Sequence, residues 1–140
     1  SDLNEILEII VTRLPETMEL KAATIRFFEK KGKLELKAAH GLSNEYLARG
    51  SLDKEAATYY LMEGEPIVIL DAQKDIHTVY HKEAEAEGIR SVLAVPISFR
   101  EDVIGILRLL SSDIRNFSAA DINFAMAIAD QTGIAIQRVL

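Results

Sequence analysis

The sequence predicts an α+β fold built on one mainly antiparallel sheet. Three observations carry that expectation. Apolar residues recur with helical spacing at both ends of the chain. Between them, paired runs alternate every second residue and are separated by short charged turns. The composition, 49% hydrophobic and 27% charged over 140 residues, suits a single domain with its own core.

Leu3, Ile6, Leu7, Ile10 and Leu14 share one helical face, with Ser1 or Asp2 placed to cap the first turn. Pro15 is expected to end or kink this helix near Leu14. From Ala22 the period becomes two: Ile25 and Phe27 point one way, Thr24 and Arg26 the other. Lys30, Lys31, Gly32 and Lys33 read as a turn. Leu34, Leu36 and Ala38 then alternate with Glu35, Lys37 and Ala39, giving a β-hairpin that Gly41 ends. Ser43, Asn44 and Glu45 start a short helical turn.

Residues 53–62 read as a helix, with Gly64 after its end and Pro66 beyond. Residues 67–70 form a short buried strand, and a helix is expected over 79–87. Residues 91–99 form a strand whose Pro96 marks an edge position or a bulge. Arg100, Glu101 and Asp102 turn the chain into a strand over 103–110. The last helix starts at Ser118: Ser118 with Asp121 makes a capping box, and Phe117 with Ile122 a hydrophobic staple. Ile122, Ala125, Met126, Ala129, Gly133 and Ile136 form its core face. That helix reaches Leu140 without a stop signal and the chain begins with Ser, so residues 1–140 are expected to be one domain cut from a longer protein.

The charge balance, 16 Lys+Arg against 22 Asp+Glu, disfavours nucleic acid as a partner. No apolar run is long enough for a membrane helix and no signal peptide opens the chain, so no membrane association and a cytoplasmic location are expected. The absence of Cys excludes disulfides, thiolate metal sites and a thiol nucleophile. No hydrolase elbow, Walker loop, dinucleotide glycine fingerprint or zinc-protease motif occurs, and no enzyme and no cofactor are expected.

Several stretches, in order, resemble the GAF domain over essentially the whole chain. They are Ala23-Thr24-Ile25, then Leu36 to His40 with Gly41-Leu42, then Gly64-Glu65-Pro66-Ile67-Val68-Ile69-Leu70-Asp71. Gly88-Ile89-Arg90-Ser91-Val92-Leu93-Ala94-Val95-Pro96-Ile97, Val103-Ile104-Gly105-Ile106-Leu107 and Phe117-Ser118-Ala119-Ala120-Asp121 complete the set. The resemblance implies terminal helices on one sheet face and short helices and loops forming a small-molecule pocket on the other. It implies a sensory module attached to an output domain such as a kinase, cyclase, phosphotransferase or transcription regulator. The missing Cys removes the covalent bilin and thiol-reductase branches. Phe117 and Asp121 match part of the cyclic-nucleotide signature, but Ile122 stands where that signature has Glu, and no Asn-Lys pair occurs.

The resemblance places Tyr59, Tyr60, His77, Tyr80 and His81 over the pocket, as aromatic walls with a few donors, or as surface residues with one tyrosine packed inward. Phe27, Asp71 and Val92 complete the candidate lining. His77 and His81, with Glu85, have the spacing of a metal or haem set on a helix, against a solvated loop as the plainer reading. Arg90 and Ser91 can orient a carboxylate or phosphate; otherwise Arg90 pairs with Glu83, Glu85 and Glu87. Arg26 and Arg108, single charges in apolar strands, are expected at outward positions, with anion anchoring as the alternative. Ile9 and Val11 on the first helix, and Phe124, Ile128 and Ala135 on the last, are surplus apolar surface that predicts a homodimer. A ligand-binding relay module and a ligand-free dimerisation module are the two main functional expectations.

Overall fold

A computed structural model describes residues 2–29, 32–49, 55–76 and 78–139. The elements are α1 (Leu3–Met18), β1 (Ala22–Phe28), β2 (Leu34–His40), α2 (Asn44–Leu47), α3 (Glu55–Met62), β3 (Ile67–Ile69), α4 (His81–Glu87), β4 (Ser91–Phe99), β5 (Asp102–Ser111) and α5 (Ala119–Val139). The five strands form one sheet in the order β2-β1-β5-β4-β3, with every pairing antiparallel. This is the α+β architecture expected from the alternation. α1 and α5 cover one face; α2, α3 and α4 lie toward the other.

The main core lies between the sheet and the terminal helices. Ile25, Leu93, Val95, Ile97, Leu107 and Leu109 meet Leu7, Val11, Leu14, Ala125, Ala129 and Ile136 there. Asp2 caps α1 by accepting a hydrogen bond from the Glu5 amide at 3.0 Å. The buried stripe is Leu7, Val11, Leu14 and Met18, rotated from the expected one. Val11 is fully buried in this core and therefore belongs to no dimer surface. Pro15 does not end the helix either. Its ring removes one intrahelical donor, but Leu14, Pro15 and Met18 pack the last turn onto the core, and that packing overrides the local penalty. The helix ends when Glu19 enters the left-handed region at φ 58°.

β2 does not alternate cleanly. The pairing runs from Ile25↔Ala38 to Arg26↔Leu36, so Lys37 is an extra residue in a bulge. The bulge transfers side chains between faces: Ala38 packs into the helix-side core, whereas Leu34 packs with Phe28 on the opposite side. Lys37 is held by Glu29 at 2.7 Å and Glu35 at 3.2 Å. α4 begins at His81, two residues later than expected, because Tyr80 keeps a non-helical backbone. The expected start of α3 at residue 53 lies outside the described residues. Pro96 sits beyond the last β3–β4 pair, Ile67↔Ala94, where β4 is locally an edge.

The capping box and the staple pair both form at α5. Asp121 accepts from the Ser118 amide at 3.1 Å, and Ser118 Oγ accepts from the Asp121 amide at 3.0 Å. Phe117 is buried and Ile122 half-buried in the same core. Gly133 lets α5 lie directly on β4: a Cβ there would stand 2.1 Å from the Ser98 carbonyl oxygen.

Candidate functional site

Because Ile25 and Phe27 turn toward the terminal helices, Thr24 and Arg26 turn toward the other face of β1. Register places Thr24 opposite Arg108 and Arg26 opposite Ile106 on β5. The two arginines are thus diagonal neighbours across adjacent strands, about 7–8 Å apart at the backbone. Together with Val92 on β4 and Leu110 on β5 they floor a small cavity. Leu42 and Tyr46 of the α2 segment, Ile69 at the end of β3, and Ala72 and Thr78 close it.

The polar groups of the cavity are buried. Arg26 and Arg108 are each 4% exposed, Thr24 2% and Thr78 4%. Arg26 donates to Thr24 Oγ1 at 3.3 Å. Thr78 Oγ1 meets no hydrogen-bond partner among the described residues. About 20 Å³ of the cavity is open to a water-sized sphere, room for about one water. A larger guest requires the walls to move.

Two neighbouring arrangements set those walls. Ser43 caps α2 through the Tyr46 amide, and its own amide and hydroxyl donate to the Glu87 carboxylate at 2.6 and 2.7 Å. Arg49 pairs with Glu83 at 3.4 Å, so α2 is tied to α4 at two points. The segment after β3 is held to the β4 entry: the Ala72 amide donates to the Arg90 carbonyl, and Gln73 Nε2 to the Ile89 carbonyl at 2.9 Å.

Of the candidate residues from the sequence, Val92 lines the cavity. Arg90 pairs with Asp71 at 3.2 Å and donates to Gln73 at 3.0 Å, outside the cavity lining. Its partner is therefore Asp71 and not the acidic run of α4, whose Glu83 and Glu87 hold Arg49 and Ser43. Ser91 is fully buried and spends its hydroxyl on the chain itself, donating to the Leu70 carbonyl and accepting from the Arg115 amide at 2.8 Å. Phe27 packs on the helix-side core, on the wrong face for this cavity. Tyr59 and Tyr60 are more than half exposed on α3 and stack edge to face with each other. Tyr80 is half-buried and outside the lining.

His81 Nε2 donates to the Asp75 carbonyl at 2.6 Å, since a carbonyl oxygen can only accept. His77 lies outside the described residues. α4 starts at His81, and Tyr80 before it keeps a non-helical backbone. Among the described residues no group of three His, Asp or Glu side chains is arranged to hold a metal.

The residues that the sequence reading placed outward, Arg26 and Arg108, are the ones that floor the cavity. Tyr46, Thr24 and Thr78 also went unrecognised. The signal was present for Thr24 and Arg26 in the β1 alternation, and short helices and loops were expected over the second face; what was missing was that β1 and β5 supply the floor beneath that cover.

On the other side of the sheet, Ile9, Ile10, Leu14, Phe124 and Ile128 line a shallow groove between α1 and α5. Ile9 and Phe124 are 56% and 43% exposed, and Ile128 and Ala135 are half-buried. Among the described residues, no helix is long and apolar enough to cross a membrane.

A family model for the GAF domain matches residues 1–137. Solved structures share the fold. A domain assigned to a two-component sensor histidine kinase of Sinorhizobium meliloti superposes with a TM-score of 0.86 at 24% identity, covering 99% of this chain and 93% of that one. The GAF domain region of a protein assigned to the membrane in Geobacter sulfurreducens gives 0.84 at 24% identity, covering 99% and 95%. The GAF domain of a phosphoenolpyruvate-protein phosphotransferase from Coxiella burnetii gives 0.84 at 21% identity, covering 98% and 83%. No curated protein matches the sequence. The chain belongs to the GAF domain family, whose members are sensory and regulatory modules of signalling proteins.

Proposed function

We propose that this domain is a non-catalytic cytoplasmic sensor that admits a small molecule to the cavity under α2 and relays its presence to an output domain on the same chain. A kinase, cyclase, phosphotransferase or transcription regulator suits that role. The observation that supports the reading is the cavity itself. Its floor strands β1, β4 and β5 carry α1 and α5 on their reverse face. A guest that moves Thr24 or Val92 therefore displaces Ile25 and Leu93, which touch those helices.

A hydrogen-bond chain supports the relay. Leu70, next to the cavity wall, accepts from Ser91; Ser91 accepts from the Arg115 amide; and the Arg115 guanidinium donates to the Met18 carbonyl at 2.6 Å and to Asp121 at 3.3 Å. One arginine thus joins the end of α1 to the start of α5. A ligand shifts this arrangement only if it binds one state better than the other. A thermal-shift screen against charged and neutral metabolites tests the reading. A reproducible rise in melting temperature supports it, and silence across the screen favours the second reading.

That second reading is a ligand-free dimerisation and relay module, which the apolar groove of Ile9, Phe124 and Ile128 favours. Sedimentation of wild type and of Phe124→Glu separates the two: a dimer that the substitution dissociates, with a silent screen, supports it.

A further inference from the structure

We infer that the cavity selects a small uncharged molecule with an apolar body and one hydrogen-bonding head group, which the Thr78 hydroxyl holds. The inference rests on the reading of the cavity as a ligand site and adds the chemical class of the guest. Thr78 lines the cavity and is 4% exposed, and its Oγ1 meets no hydrogen-bond partner among the described residues. A hydroxyl buried in that state has given up its bonds to water without replacement. A guest that bonds to it restores what burial removed. Thr24, the other threonine of the lining, already accepts from Arg26 at 3.3 Å. The described lining therefore calls for a single polar head at Thr78.

Charge is selected against in both signs. The protein itself engages Arg26 and Arg108, so neither guanidinium is held back for an anion. The described lining contains no carboxylate to meet a cation. The carboxylates nearby are committed too: Asp71 to Arg90, Glu83 to Arg49 and Glu87 to Ser43, and Asp75 is also engaged. A charged guest would lose its hydration here and gain no opposite charge in return. An uncharged one gives up far less. Leu42, Ile69, Ala72, Val92 and Leu110 supply apolar lining for its body. The open space of about 20 Å³ takes the head group alone, so the body enters once α2 or the segment after β3 yields.

The test is an amide-resolved NMR titration with butanamide, butanoate and butylammonium, three probes of similar size that are neutral, anionic and cationic. Saturable shifts at Thr24, Thr78 and Val92 are expected with butanamide, and binding at least about tenfold weaker with either ion. Thr78→Val keeps the shape and removes only the hydroxyl. It is expected to melt no lower than wild type when unliganded, yet to bind butanamide about tenfold more weakly. The inference is overturned if butanamide gives no saturable shifts at these residues, if either ion binds as tightly, or if Thr78→Val binds as wild type does. An ion or a charged metabolite that binds in the cavity while butanamide fails removes the inference and leaves the sensor reading standing. If every probe and metabolite fails, both fall.

Discussion

Gly133 shows how one position is read differently with and without its neighbours. In a helix interior glycine is ordinarily the weaker choice, and alanine stabilises by about 0.5–1 kcal/mol. Here a Cβ would stand 2.1 Å from the Ser98 carbonyl oxygen, and backbone cannot move aside cheaply. Gly133→Ala is therefore expected to destabilise by about 1–3 kcal/mol, read from urea unfolding. Asp121 is a second case. The Ser118 amide, and then the Arg115 guanidinium, hold its carboxyl below the usual 3.8, against the opposing effect of burial. A lowered folded value means that this stability is present above pH 3.8 and is lost as pH falls through the lowered value. Between about pH 5 and pH 2, wild type should lose more stability than Asp121→Asn, measured by denaturant titration at each pH. The cap could be read from Ser118 and Asp121 because it is local. The roles of Arg26 and Arg108 could not, because burial of a strand face depends on what folds over it from tens of residues away.

Among the elements, the same division holds. The helices at both ends, the hairpins and the short helix capped by Ser43 follow from periodicity and turn residues. The Lys37 bulge, the continuation of α1 through Pro15 and the late start of α4 do not, since each is decided by packing or pairing. The attachment of α2 to α4 is another long-range feature: Ser43 and Glu87 are 44 residues apart in sequence. Glu87→Ala should cost about 1 kcal/mol, a modest figure for an exposed charge-assisted contact. Its clearer signature is local. Hydrogen exchange of the α2 amides should quicken while that of β4 and β5 is unchanged. Equal acceleration in the sheet would mean that the contact supports the whole fold and not the wall of the cavity.

The fold taken together places a small cavity, with two buried arginines in its floor and mainly apolar walls, and two terminal helices on opposite faces of one sheet. The architecture was legible through the ordered motifs of the GAF resemblance, and the family match over residues 1–137 agrees with it. The site was less legible. Tyrosines and histidines drew attention because their chemistry is conspicuous, yet Tyr60 is 56% exposed and lies outside the cavity lining. The cavity floor is built instead from strand residues whose significance is positional. Ser91 was expected to orient a carboxylate or phosphate with Arg90; its hydroxyl instead donates to the Leu70 carbonyl and accepts from the Arg115 amide.

That connection is where the account is most exposed to test. The measurement is the amide NMR spectrum with and without the compound that gives the largest thermal shift. The prediction is that perturbations start at Thr24, Val92 and Arg108 and continue through Ser91 and Arg115 to Met18 and the first turn of α5. Perturbations confined to the outer surface, or a spectrum that no compound alters, would contradict it.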